Sequence, residues 1–116
     1  MRFPGSSTVV AGLVSGAVLL SFIPDAEARP GWCKRAHTTA HRVICSDPSL
    51  WVLDRCEEAL YGQVRRMAKR SVLKAVAQNE ADWVRRRNRC RANYDCIVDQ
   101  YADRIDELQE ITRTKC

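Results

Sequence analysis

Six cysteines, Cys33, Cys45, Cys56, Cys90, Cys96 and Cys116, all lie C-terminal to an apolar leader in this chain of 116 residues. An even set of cysteines behind such a leader predicts a small exported domain whose thiols are paired as disulfides. The leader has the layout of a secretory signal. Arg2 supplies the positive start, Thr8 to Ile23 carry no charge, and Ala26-Glu27-Ala28 gives the small-x-small pattern of a cleavage site. The apolar run falls short of the ~20 residues that span a bilayer, so a cut after Ala28 is favoured over a membrane anchor. A lipid-anchored cysteine is not expected, because Cys33 follows Pro30-Gly31-Trp32 rather than a run of small apolar residues.

The expected mature domain, residues 29–116, carries 18 Lys/Arg against 12 Asp/Glu, a net charge of +6. Its 88 residues make one domain with a core that is marginal without covalent staples. Structural zinc is the other common use of cysteine. No C-x-x-C spacing is present to support it.

Helical periodicity runs through the whole domain. Asp47-Pro48 is a start signal, because aspartate accepts from free first-turn amides and proline suits the first helical position. Leu50, Leu53, Leu60, Val64 and Met67 then share one helical face, followed by a stripe of Leu73, Val76, Ala77, Glu80, Trp83 and Arg87. A third stripe joins Ile97, Val98, Tyr101, Ile105, Leu108 and Ile111, with Asn93 or Asp95 as its cap and a turn over Arg91–Asp95. A short helix over Thr38–Ile44 precedes these. Around Lys69–Val72 a bend or short turn is preferred to one continuous rod, since a lone rod cannot bury its own apolar face. The expected fold is all-α, a small disulfide-stapled helical bundle or hairpin.

Six cysteines allow fifteen pairings. Cys90 and Cys96 flank a tight turn and can clip a helical hairpin. Cys33 and Cys45 bracket the first segment, which leaves Cys56 to join Cys116.

Two segments carry a family resemblance. One is Ile44-Cys45-Ser46-Asp47-Pro48-Ser49-Leu50, continuing to Leu53-Asp54 and Tyr61. The other is Trp83-x-x-x-Arg87-x-x-Cys90, followed by Cys96-Ile97, Tyr101, Arg104-Ile105 and Leu108. In this order they resemble the N-terminal domain of LprI-type lysozyme inhibitors, small exported bacterial proteins, over about Cys33 to Leu108. The resemblance implies an all-helical fold, the Cys33–Cys45 and Cys90–Cys96 bridges, and lysozyme inhibition as the activity of at least one member. The chain departs from the pattern at His41, where glutamate is usual, at Glu80, where glutamine is usual, and in possessing Cys56 and Cys116. That both of these cysteines are extra is a second reason to pair them.

Charge is segregated along the sequence. Gly62 to Arg91 hold ten Lys/Arg against Glu80 and Asp82, while Tyr94 to Glu110 hold six Asp/Glu against Arg104. Arg65, Arg66, Lys69, Arg70, Lys74, Arg85, Arg86 and Arg89 form a candidate binding surface for an anionic envelope component such as lipopolysaccharide or a cell-wall polymer. The plainer reading is two solvated helix faces that partly neutralise each other. Common lysozymes are strongly basic and a +6 domain repels them at long range, so an inhibitor must dock through a local acidic patch. An exported chain with no nucleic-acid-binding motif is not expected to bind nucleic acid.

Asp54, Glu80 and Arg87 stand on or beside apolar stripes. They read as a structural polar network in which Asp54 or Glu80 accepts from Arg87, in preference to an acid–base site. His37 and His41 are four residues apart but lack a third ligand, so no metal or cofactor is expected. Ser46, Ser49 and Ser71 lie in no nucleophile motif and every cysteine is committed, so catalysis is not expected either. Tyr61, Trp83 and Tyr101 are expected to meet in the core, with Trp32 and Trp51 more exposed.

Overall fold

The computed structural model describes residues 29–116, and the expected signal segment lies outside them. A 3-10 turn, Gly31–Arg35, leads into helix α1, Thr39–Cys45. The Thr38 hydroxyl caps α1 by accepting from the His41 amide at 3.0 Å. Two residues on, Asp47 performs the same service for helix α2, Pro48–Met67, accepting from the Ser49 amide at 2.9 Å with Pro48 in the first turn. The chain becomes extended at Ala68 and Lys69, makes one 3-10 turn over Arg70–Val72, and enters helix α3, Leu73–Asn88. The break between α2 and α3 is therefore a short turn. Helix α4, Tyr94–Thr112, is capped by Asn93, which accepts from the Cys96 amide at 3.0 Å. Arg91, at φ 54°, reverses the chain ahead of it.

Pairings between helices fix their directions. Ser49 meets Tyr94, Asp54 meets Tyr101 and Glu57 meets Arg104, so α2 and α4 run parallel. Arg87 meets Tyr101 and Glu80 meets Arg104, so α3 runs antiparallel to both. The result is an up-down-up bundle with α1 packed across one end, and no strand among the described residues.

All six cysteines are paired, Cys33–Cys45, Cys56–Cys116 and Cys90–Cys96, with Cα–Cα distances of 5.7, 5.7 and 5.5 Å. The longest bridge closes because Arg113 takes a left-handed conformation at φ 60°, turning the C-terminal tail back along the bundle toward Cys56. Three disulfides point to an oxidising, extracytoplasmic location. Among the described residues no helix is long and apolar enough to cross a membrane.

Ile44, Leu50, Leu60, Trp83, Ile97, Tyr101 and Leu108 form the core. The Trp83 indole packs edge-on to Tyr101 and donates to the Gln100 carbonyl at 3.1 Å. Tyr61 does not join these rings. It lies nearer the other end of the bundle, half-buried, with the Arg65 guanidinium over its face. Three stripe residues also depart from expectation, because Met67, Ala77 and Ile111 are exposed. α1 covers only the end where α2 begins, and among the described residues nothing equivalent caps the end where Met67 and Ile111 lie.

Candidate functional site

A cleft of about 280 Å³ opens where the 3-10 turn and α1 cross the bundle. Its floor is a layer of charge inside the protein. Arg87, 4 % exposed, lies between the Trp32 and Trp83 rings, with its guanidinium carbon 5.2 and 5.4 Å from their centroids. It donates to the Tyr101 hydroxyl at 3.3 Å and to the Asn88 side-chain oxygen at 2.9 Å, and stands 3.9 Å from Asp54. Asp54 in turn accepts from Tyr101 at 2.8 Å and from the Trp32 indole at 3.2 Å. Trp32 is thus half-buried and built into the site, because the Cys33–Cys45 bridge holds the 3-10 turn across the cleft.

Glu80 belongs to a second hub. Arg104, 3 % exposed, donates to Glu80 at 2.7 Å, to Glu107 at 2.9 Å and to Asn79 at 2.6 Å, and stands 3.5 Å from the buried Glu57. The sequence reading did not single out Arg104 or Glu57. Both were marked by the signal that exposed Asp54 and Arg87, a charged residue on an apolar stripe. Arg104 falls between Tyr101 and Leu108, and Glu57 between Leu53 and Leu60.

Electrostatics follow from this burial. Asp54 is held above the usual carboxylate range by desolvation, against the hydrogen bonds from Tyr101 and Trp32. Desolvation and the neighbouring Glu80 push Glu57 up to about 9. Glu58 is raised by partial burial and by Asp54 and Glu80. His41 is lowered by burial and then by the Arg87, His37 and Arg42 charges. Burial works against the Arg104 charge, but hydrogen bonds to Glu80 and Glu107 outweigh it and raise its pKa.

A pH dependence of stability is the consequence. The folded Glu57 binds its proton more tightly than an unfolded glutamate near 4.5, so folding takes up a proton between these limits and stability falls as pH rises. His41 acts in the opposite sense below its ordinary value of 6.5, which makes pH 7 to 9 the clean window. Across it the unfolding free energy should drop by roughly 2 kcal/mol, at about 1.4 kcal/mol per proton per pH unit. Glu57→Gln, which mimics the protonated acid, should flatten that slope in urea titrations. Equal slopes for both proteins would contradict the assignment.

The remaining sequence candidates are on the surface. His37 precedes α1, yet its ring still meets that of His41 edge-on at 5.0 Å. Among the described residues no group of three His, Cys, Asp or Glu side chains could hold a metal ion. Arg65, Arg66, Lys69, Arg70, Lys74, Arg85, Arg86 and Arg89 are all exposed. Of these eight, Arg85 alone is in an ion pair with a described residue, Asp82. They fall into two groups, one at the α2–α3 turn and one at the end of α3, about 16 Å apart along that helix.

Helix α4 carries the opposite charge. Asp95, Asp99, Asp103, Asp106 and Glu110 fall within one outward face, opposite the buried Ile97, Tyr101 and Leu108. All five are exposed and, among the described residues, none is in an ion pair. Among the described residues no ion pair joins this acidic face to the eight surface cations. Comparison of the chain with protein-family models, curated proteins and solved structures finds no match.

Proposed function

We propose that this is an exported, non-catalytic binding module of the LprI type, working in the periplasm or outside the cell, that docks a cationic protein such as lysozyme. The observation that carries this reading is the α4 ridge. Five carboxylates, unpaired among the described residues, extend over about 22 Å of one helix face, a local surface that attracts a basic partner despite the net positive charge. The motif order from Cys33 to Leu108 supports the same family. The buried acids and bases engage one another and the cysteines are bridged, which favours binding over chemistry.

The test is lysozyme digestion of bacterial cell walls titrated with the oxidised domain. Inhibition is expected near equimolar ratio. The triple change Asp99→Asn, Asp103→Asn, Asp106→Asn should raise the dose required about tenfold, since clustered charges govern encounter. Undiminished digestion at a tenfold molar excess of the domain would sink the reading.

A second reading rests on a different observation. The cations at the α2–α3 turn and on α3 that stand free of ion pairs suit an anionic envelope component such as lipopolysaccharide or a cell-wall polymer. Binding of that kind weakens steeply with salt and leaves digestion by lysozyme unaffected.

A further inference from the structure

At the end of the bundle away from α1, helices α2, α3 and α4 leave a groove of about 260 Å³ between them. Tyr61 and Val64 form one wall, Val72 and Val76 the second, Leu108 and Ile111 the third. Three of the five exposed large apolar side chains among the described residues lie at this end. Met67, Val72 and Ile111 are 60 %, 43 % and 51 % exposed, a concentration that solvated helix faces do not require. The polar part of the lining, Asn79, Arg104 and Glu107, is paired internally. The cations of the neighbouring α2–α3 turn are in no ion pair among the described residues. Arg65 lies over the Tyr61 ring of the first wall, Arg66 packs beside Gly62, and Arg70 begins the 3-10 turn that ends at Val72, with Lys69 just before it.

The geometry points to a binding site for one anionic amphiphile, whose acyl chain enters this groove while its acidic head meets the cations of the α2–α3 turn. Charge selects the occupant. A neutral chain would use only the walls, and a cationic one would face Arg65 and its neighbours. The inference rests on the second reading above and gives it a ligand class. It is independent of the inhibitor reading.

Sodium dodecanoate, kept below its micelle concentration, is the probe. Calorimetry should show saturable binding, and methyl signals of Val72, Val76 and Ile111 should shift in NMR spectra. Affinity should rise from octanoate to dodecanoate by up to about fourfold for each methylene buried. Val72→Asp and Ile111→Asp, both at exposed positions, should weaken binding at least tenfold without altering thermal melting by more than a few degrees. Arg65→Gln with Arg66→Gln should weaken dodecanoate but not dodecyl maltoside.

Absence of saturable binding would overturn the proposal, as would equal affinity for dodecyltrimethylammonium. Binding to phosphatidylglycerol vesicles with the groove methyls unmoved by monomeric dodecanoate would also overturn it, in favour of a flat membrane contact. If a polyanion such as heparin binds in a salt-steep way while dodecanoate does not, the second reading stands and the groove assignment fails.

Discussion

Replacing Arg104 by methionine should cost the domain about 3–5 kcal/mol, the usual result of removing one partner from a buried ionic cluster. Among the described residues Arg104 is the single cation serving Glu80, Glu107 and the buried Glu57, and it ties α4 to both other long helices. Without it Glu80 and Glu57 face each other in a desolvated space. For a domain of this size the loss corresponds to a fall in melting temperature on the order of 20 °C. Arg104→Lys should fall between wild type and methionine, because an ammonium cannot reproduce the guanidinium fork. Arg86→Met, at an exposed position on α3, should stay within about 0.5 kcal/mol of wild type. A loss below 1 kcal/mol for Arg104→Met would show that the cluster does not organise the bundle.

The second large effect belongs to the Cys56–Cys116 bridge. It spans 60 residues, against 12 and 6 for the other two. On the loop-entropy estimate it contributes about 4 kcal/mol, while the shorter bridges contribute about 2–3 kcal/mol each. Cys56 is half-buried against the core and keeps its place as serine, while the tail residues Lys115 and Cys116 are exposed. Most of the effect therefore acts on the unfolded chain, whose freedom the bridge removes. Cys56→Ser with Cys116→Ser should lower the unfolding free energy by about 4 kcal/mol in urea, with helix content and the core tryptophan signals retained. Non-reducing peptide mapping of the parent should recover Cys56 joined to Cys116. Recovery of Cys45 joined to Cys56 would contradict the fold itself.

The two effects differ in how far the sequence announced them. Spacing and turn position made the three bridges legible, and Asp47-Pro48 and Asn93 marked helix starts that the structure retains. Arg104 was harder to see. It sits in an acidic run, where a lone arginine reads as a local partner for Glu107, and that pair does form. Its burial is set by α2 and α3, which are remote in sequence. Trp32 is half-buried, against expectation, for a related reason. A tryptophan ahead of the first helix has no periodicity to assign it a face, and only the Cys33–Cys45 bridge folds it over Arg87. Met67 and Ile111 failed in the opposite direction. Periodicity places them on an inward stripe, but whether a stripe is covered at its end depends on a cap, and α1 caps the other end.

Functionally, the molecule separates its charges. The interior pairs its own, α4 presents a row of carboxylates, and the α2–α3 turn presents a group of exposed cations. A net charge alone would predict repulsion of a basic partner, whereas the position of each charge predicts attraction along one helix.

The most direct test of that claim is a binding footprint. Isotope-labelled oxidised domain titrated with lysozyme at low salt should show amide shifts concentrated at Asp95, Asp99, Asp103, Asp106 and Glu110, with stoichiometry near one to one. No shifts at saturating lysozyme, or shifts confined to the basic α2–α3 turn, would contradict it.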